Sequence, residues 1–116
     1  MFAAAILAVA LAQSAEDVPG RYIAQGAGGA CPVTLRPASP QPPDSDFQGE
    51  TASGFAFAAP GCPGGLSDAA LWRLSLADGV LILADGAGAA LLEARADGPD
   101  WTGRTPRGDA VTLRPR

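Results

Sequence analysis

The stretch Leu71–Leu83, LWRLSLADGVLIL, contains two alternating apolar runs on either side of Asp78-Gly79. A two-residue Asp-Gly link between such runs predicts a β-hairpin with a type I′ turn, in which Leu76 lies opposite Leu81. Paired residues share a face, so the hairpin predicts one apolar surface. Its members are Trp72, Leu74, Leu76, Leu81 and Leu83. A lone hairpin is marginal in water, and further strands must cover this surface.

Alternating runs with turn residues between them continue on both sides of the hairpin. They occupy residues 21–25, 31–36, 54–58, 89–96, 101–105 and 110–114. In the third of these runs, Phe55 and Phe57 are expected to fill the core. The Pro-rich stretch 37–53 predicts a long surface loop, with a short edge segment near Phe47.

Eight short strands in sequence predict an all-β domain with an antiparallel up-and-down sheet. Closing that sheet into a barrel removes both edges, and an open sandwich is the alternative. The chain of 116 residues is long enough for one such domain. Its 15 glycines and 11 prolines are typical of many tight turns.

The charge of the chain excludes one large class of partner. Its formal net charge is −4, and every basic residue is an arginine. No cluster of basic residues is present that could neutralise phosphates, so we expect no binding to nucleic acid.

The first twelve residues, Met1–Ala12, are apolar and uncharged, and too short to span a bilayer as a helix. They resemble the apolar part of a secretory signal that ends in the small-x-small site Ala10-Leu11-Ala12. A buried N-terminal helix is the alternative. Cleavage after Ala12 leaves a mature chain that begins at Gln13; cleavage after Ala15 is the alternative, although Gln13 is a poor residue three positions before a cleavage site. Since no cysteine lies at the end of the leader, we expect no lipid anchor.

Cys31 and Cys62 are the only cysteines. An even count in an exported chain predicts a disulfide, which stabilises a loop of this length by about 3–4 kcal/mol in the chain-entropy model. A thiol nucleophile or a metal ligand is the alternative. The chain has no histidine, which excludes a Cys–His pair and a Cys₂His₂ zinc site.

Catalytic motifs are not found. Four aspartates, Asp78, Asp85, Asp97 and Asp109, fall at predicted turns, where local hydrogen bonding is their expected role. Sequence signatures of a serine nucleophile, a phosphate loop or a dinucleotide site are missing. We therefore expect neither an enzyme nor a cofactor of its own. Trp72 and Trp101 are expected in the core, with a ligand cavity as the alternative.

Short motifs are spread along most of the mature chain. The opening motifs are Gly20-x-Tyr22 and Cys31-x-Val33-x-Leu35. The later ones run from Cys62 through Trp72-Arg73-Leu74, Ala77-Asp78-Gly79-x-Leu81-x-Leu83, Gly88, Leu92, Gly98, Trp101-x-Gly103 and Gly108 to Leu113. Together these motifs resemble the Inh-type inhibitors of secreted bacterial metalloproteinases. This resemblance implies a periplasmic, monomeric, eight-stranded barrel with one disulfide that blocks serralysin-type zinc proteases.

The resemblance also implies an inhibitory arm. In that family the segment before the barrel enters the protease cleft, and its terminal residue approaches the zinc. The matching segment here is residues 13–19, with Gln13, Ser14, Ala15, Glu16 and Asp17 as its protease-binding residues and residues 20–116 as the barrel domain. Seven extended residues reach about 23–25 Å. The alternative is a frayed terminus without a function.

Two other functions remain open at this point. One is an envelope barrel that binds a small apolar ligand, and the other is a structural module of the envelope. Val80, Ile82 and Leu91 are expected to point outward, where they either dock against a protease or are ordinary exposed apolar residues.

Overall fold

The computed structural model describes residues 17–38 and 51–116. Within these ranges it contains eight β-strands, β1 to β8, and the 3₁₀ segment Pro63–Asp68 between β3 and β4. The strands are Gly20–Gly26, Gly29–Leu35, Thr51–Ala58, Leu71–Ser75, Val80–Ala84, Ala90–Asp97, Asp100–Arg104 and Ala110–Pro115. The leader 1–12, the arm residues 13–16 and Phe47 lie outside the described residues.

Each strand pairs antiparallel with its neighbours in sequence, and β8 pairs with β1, so that the sheet closes into a barrel. The predicted eight-stranded antiparallel barrel is therefore confirmed. β3 begins at Thr51 and includes three residues that were expected in the preceding loop. In the described part of the chain, no helix has the length and hydropathy that crossing a membrane requires.

Up-and-down connectivity defines two ends of the barrel. Residues 17–19, residues 36–38 after β2 and the turns at 76–79 and 98–99 lie at one end, which we call the amino-terminal end. The β1–β2 turn and the β3–β4 link lie at the other. We call this the disulfide end, because Cys31 of β2 is bonded there to Cys62, with the two Cα atoms 5.1 Å apart. The predicted disulfide is confirmed.

The core lies inside the barrel and reaches both ends. Val18 contributes from the amino-terminal end, and Leu66 of the 3₁₀ segment contributes from the disulfide end; neither is exposed at all. Nearly all of the largest fully buried side chains are aliphatic. They are Trp72, Leu35, Leu66, Leu74, Leu81, Leu83, Leu92, Leu113, Val18, Val33 and Val111.

The turn of the β4–β5 hairpin differs from its prediction. β4 ends at Ser75, which pairs with Val80, so residues 76–79 form a four-residue turn. A type I′ turn needs positive φ at both central residues. Only Gly79 has it, at 69°, and its N–H donates to the Ser75 carbonyl over 2.8 Å. Leu81 therefore pairs with Leu74, and Leu76 leaves the core, being 38% exposed.

The prediction that Phe55 and Phe57 fill the core was wrong, because the two side chains are 57% and 60% exposed. The inward residues of this part of β3 are Gly54 and Ala56, both buried. Gly54 pairs with Trp72, and a Cβ on Gly54 would lie 2.6 Å from the indole nitrogen. The indole therefore occupies the volume that a larger side chain at position 54 would need.

Candidate functional site at the amino-terminal end

Val18 fixes the chain just before the first strand. Its side chain is completely buried in the core, whereas the preceding Asp17 is exposed. Since an apolar side chain that is withdrawn from water favours this position by about 1.5–3 kcal/mol, the chain is held here rather than frayed. Val18 and Pro19 are the last two residues of the expected arm segment, and Val18 belongs to the core.

Tyr22 of β1 fastens this segment from inside the barrel. Its hydroxyl donates to the Val18 carbonyl over 2.7 Å, and the Asp17 carbonyl lies 3.4 Å away. The indole of Trp101, whose N–H is a donor only, is close enough to the same hydroxyl to lower its pKa. The hydrogen bond from Tyr22 to Val18 therefore connects β1 to the root of the arm, with Trp101 of β7 beside it. We call Val18, Tyr22 and Trp101 the anchor.

Burial raises the pKa of Tyr22 above its ordinary value near 10. The hydrogen bond from Trp101 lowers this pKa in part, and the negative charge of Asp17 raises it. Tyr22 is therefore neutral at physiological pH and keeps the proton that it donates to Val18.

The strands on both sides of β1 hold the anchor in place. Gly20, the first residue of β1, pairs with Leu35 of β2, and the Arg116 N–H donates to the Arg21 carbonyl over 2.9 Å. The root of the arm is therefore fixed against the barrel wall from two directions.

Only one of the five predicted protease-binding residues, Asp17, lies in the described part of the chain, where it is exposed beside Val18. Gln13, Ser14, Ala15 and Glu16 lie outside it. If the reach is counted from the buried Val18, residues 13–17 span about 17–18 Å when extended. This is shorter than the reach counted over residues 13–19.

Sequence reasoning did not foresee the anchor. The alternation in residues 21–25 puts Tyr22 and Ala24 on one face of β1, and the structure shows that both are buried. The available signal was the phenol itself, because a buried tyrosine hydroxyl usually finds a hydrogen-bond partner. The partner, a carbonyl four residues earlier, depends on the path of the chain before β1, which the alternation does not specify.

Three of the four turn aspartates, Asp78, Asp85 and Asp109, make local side-chain hydrogen bonds. The N–H groups of Ala87 and Ala89 both donate to Asp85 Oδ1 over 2.9 Å. In the β7–β8 turn, Thr105 Oγ1 donates to Asp109 Oδ2 over 3.5 Å and accepts from the Asp109 N–H over 3.2 Å. Within residues 17–38 and 51–116, no group of three or more His, Cys, Asp or Glu residues is placed to hold a metal ion.

Both tryptophans are core residues. Trp72 is fully buried with its indole N–H donating to the Arg36 carbonyl over 2.8 Å, and Trp101 is 3% exposed. A cleft of about 620 Å³ lies along the outside of β6 and β7, and one of about 360 Å³ lies at the disulfide end. Neither cleft is lined by a tryptophan.

No protein-family model matches this chain. No curated protein matches it either. The function is therefore inferred from the fold, the geometry of the amino-terminal end and the short motifs.

Proposed function

We propose that the protein is a periplasmic inhibitor of a secreted zinc metalloendopeptidase of the serralysin type. Residues 13–17 form an arm that enters the protease cleft, and the barrel stays outside. The motif resemblance suggests this role. The observation that carries it is the anchor, because Val18 is held inside the barrel immediately after residues 13–17, whose sequence has neither the helix period nor the strand period.

An arm with a fixed root has a physical advantage over a frayed tail. Ordering a residue costs about 1–2 kcal/mol of backbone entropy, and every residue ordered before binding lowers the cost of association. The buried Val18 and the Tyr22 hydrogen bond order the root of the arm in the free protein. Only the residues that enter the cleft then have to be ordered on binding.

The arm has the chemistry that a zinc cleft accepts. A backbone laid along the edge of the protease supplies main-chain hydrogen bonds with little demand on side chains. A terminal amine, with an ordinary pKa near 7.7–8.0, can lose its proton and donate to zinc. No scissile bond then occupies the catalytic position, and the inhibitor is not cut.

The barrel is suited to work beside a protease. Its closed sheet offers no free edge, and the Cys31–Cys62 bond ties β2 to the long β3–β4 link. Cleavage requires local opening, which closure and cross-linking oppose. The disulfide also fits an oxidising compartment such as the periplasm.

Titration of a serralysin-type protease with the exported protein tests this proposal. The mass of the mature protein is measured first, because it fixes the first residue of the arm. We expect inhibition at one inhibitor per protease, and weaker inhibition when the terminal amine is acetylated or Gln13 is cyclised. A fully folded mature protein that leaves the protease active would refute the proposal.

A further inference from the structure

The outer face of β3 carries two large aromatic side chains in the open. Phe55 and Phe57 lie on either side of the inward-facing Ala56, and each is more than half exposed. Scattered apolar residues are ordinary on a protein surface, but two neighbouring phenylalanines on one strand face form a patch. Leu71 pairs with Phe55 and extends the patch onto β4, where it is half-buried.

Positive charge borders this patch on two sides. Arg36, just after β2, donates its N–H to the Phe55 carbonyl over 2.9 Å, and Arg73 of β4 pairs with Ser53. Both arginines are exposed. The strands β2, β3 and β4 contain no Asp or Glu, although the chain as a whole is acidic with a net charge of −4. The outer face of these three strands therefore complements a surface that carries carboxylates.

The patch lies next to the root of the arm. Gly20 pairs with Leu35, and Leu35 pairs with Ala56, so these three residues stand side by side on adjacent strands. Two strand spacings of about 4.8 Å place Ala56 about 10 Å from the start of β1. A molecule that holds the arm therefore also faces Phe55 and Phe57.

We propose that Phe55, Phe57, Leu71, Arg36 and Arg73 form a second contact surface for the protease that takes the arm, and we call this set the wall patch. The inference rests on the proposed function. The protease presents to it an apolar area bordered by carboxylates. Aromatic residues and arginine are the side chains most enriched in interfaces, and charges at a rim accelerate association.

The double substitution F55S/F57S tests the aromatic part of the wall patch. Because both side chains point into solvent, the unfolding midpoint stays unchanged, while the inhibition constant rises about 10–100-fold. The control is Glu93→Ser, an exposed position on β6 away from the patch, which leaves the inhibition constant unchanged. Wild-type inhibition by F55S/F57S would overturn the inference.

Charge reversal tests the cationic border. R36E/R73E lowers the association rate at low salt at least several-fold and weakens its dependence on ionic strength, as expected for rim charges. The control R104E/R107E reverses two arginines at the disulfide end, which is the same change in net charge, and has little effect. Equal association rates for R36E/R73E and its control would contradict the proposed charge complementarity.

A chain that begins at Asp17 separates the wall patch from the arm. It is expected to bind the protease weakly in calorimetry without inhibiting it, and to lose this binding when F55S/F57S is added. If the truncated chain loses inhibition while F55S/F57S inhibits normally, the wall patch fails and the proposed function stands. If the full chain does not inhibit at all, the proposed function itself fails.

Two other occupants would overturn the inference in recognisable ways. Binding of the wild type to phosphatidylglycerol vesicles, abolished by F55S/F57S, would assign the wall patch to a membrane surface. Concentration-dependent dimerisation in sedimentation, abolished by the same variant, would assign it to a second copy of the chain.

Discussion

The strand β3 and the neighbouring β4–β5 hairpin have the same alternation but opposite orientations. In the hairpin, the large apolar residues Trp72, Leu74 and Leu81 point into the barrel and are fully buried. In β3, the large residues Phe55 and Phe57 point out, and the small ones point in. The interior of a small barrel has a fixed volume, so a strand beside a tryptophan must supply small inward residues.

The difference shows that period two defines the two faces of a strand without saying which one is inside. Hydrophobicity alone favours burial of the phenylalanine face of β3, whereas the limited space inside the barrel favours burial of the face with Gly54 and Ala56. The available space sets the orientation of β3, because the Trp72 indole already fills the volume in front of Gly54. Phe55 and Phe57 therefore lie on the outer surface, where they form the aromatic part of the proposed wall patch.

The largest expected effect on the free energy of unfolding comes from the β4–β5 hairpin. Leu74→Ala removes a completely buried side chain and should cost about 2–5 kcal/mol of the free energy of unfolding. Leu76→Ala, two residues later and partly exposed in the turn, should cost less than about 1 kcal/mol. Denaturant unfolding of both variants checks the register, and equal losses would favour the two-residue turn instead.

On β3 the matching substitution is Gly54→Ala. The added Cβ would lie 2.6 Å from the Trp72 indole nitrogen and 2.9 Å from the Pro37 carbonyl oxygen, so we expect a loss of stability. Overpacking of this kind costs about 1–3 kcal/mol. Ser53→Ala, the adjacent outward position, is the control and should change the free energy of unfolding by less than about 0.5 kcal/mol. A neutral Gly54→Ala would show that the indole does not set the orientation of β3.

Tyr22 extends the comparison to an aromatic residue that points inward and carries a polar group. Tyr22→Phe removes the hydrogen bond to the Val18 carbonyl and should cost about 0.5–1.5 kcal/mol in urea unfolding near neutral pH. A loss well above this range would mean that the phenol supports more than the root of the arm.

The stability difference between the wild type and Tyr22→Phe depends on pH, and the pKa of Tyr22 gives the sign of this dependence. Burial raises the pKa of Tyr22 in the folded protein, while the unfolded tyrosine ionises near pH 10. The contribution of the neutral phenol is therefore complete below about pH 10 and is lost as the pH rises through the folded pKa. Between about pH 8 and about pH 11, the wild type should lose more stability than Tyr22→Phe. Parallel losses would contradict the assignment.

Much of the fold could be predicted from the sequence, because its signals are local. Alternating runs located all eight strands, and the apolar faces that they define on β2 and β8, Val33 with Leu35 and Val111 with Leu113, are buried. The disulfide followed from the cysteine count. The strands depend on residues that are neighbours in sequence, and two cysteines have only one possible pairing. A single sequence therefore reveals both features.

The remaining features depend on contacts across the barrel. The orientation of β3 depends on Trp72, which is distant in sequence. The turn at 76–79 depends on the conformation of Asp78, because no described residue other than glycine has positive φ. The anchor depends on the path of the chain before β1. Of the proposed site, the sequence therefore indicated the arm but neither its root nor the wall patch.

The central claim is that the residues before Val18 carry the inhibition of the protease and that the barrel holds their root. Its most direct test compares the inhibition constants of two folded chains, one that begins at Gln13 and one that begins at Asp17. We predict equal unfolding midpoints and an inhibition constant at least about 100-fold higher for the shorter chain, which corresponds to about 2.8 kcal/mol of binding energy. Equal inhibition constants for the two chains would contradict the claim.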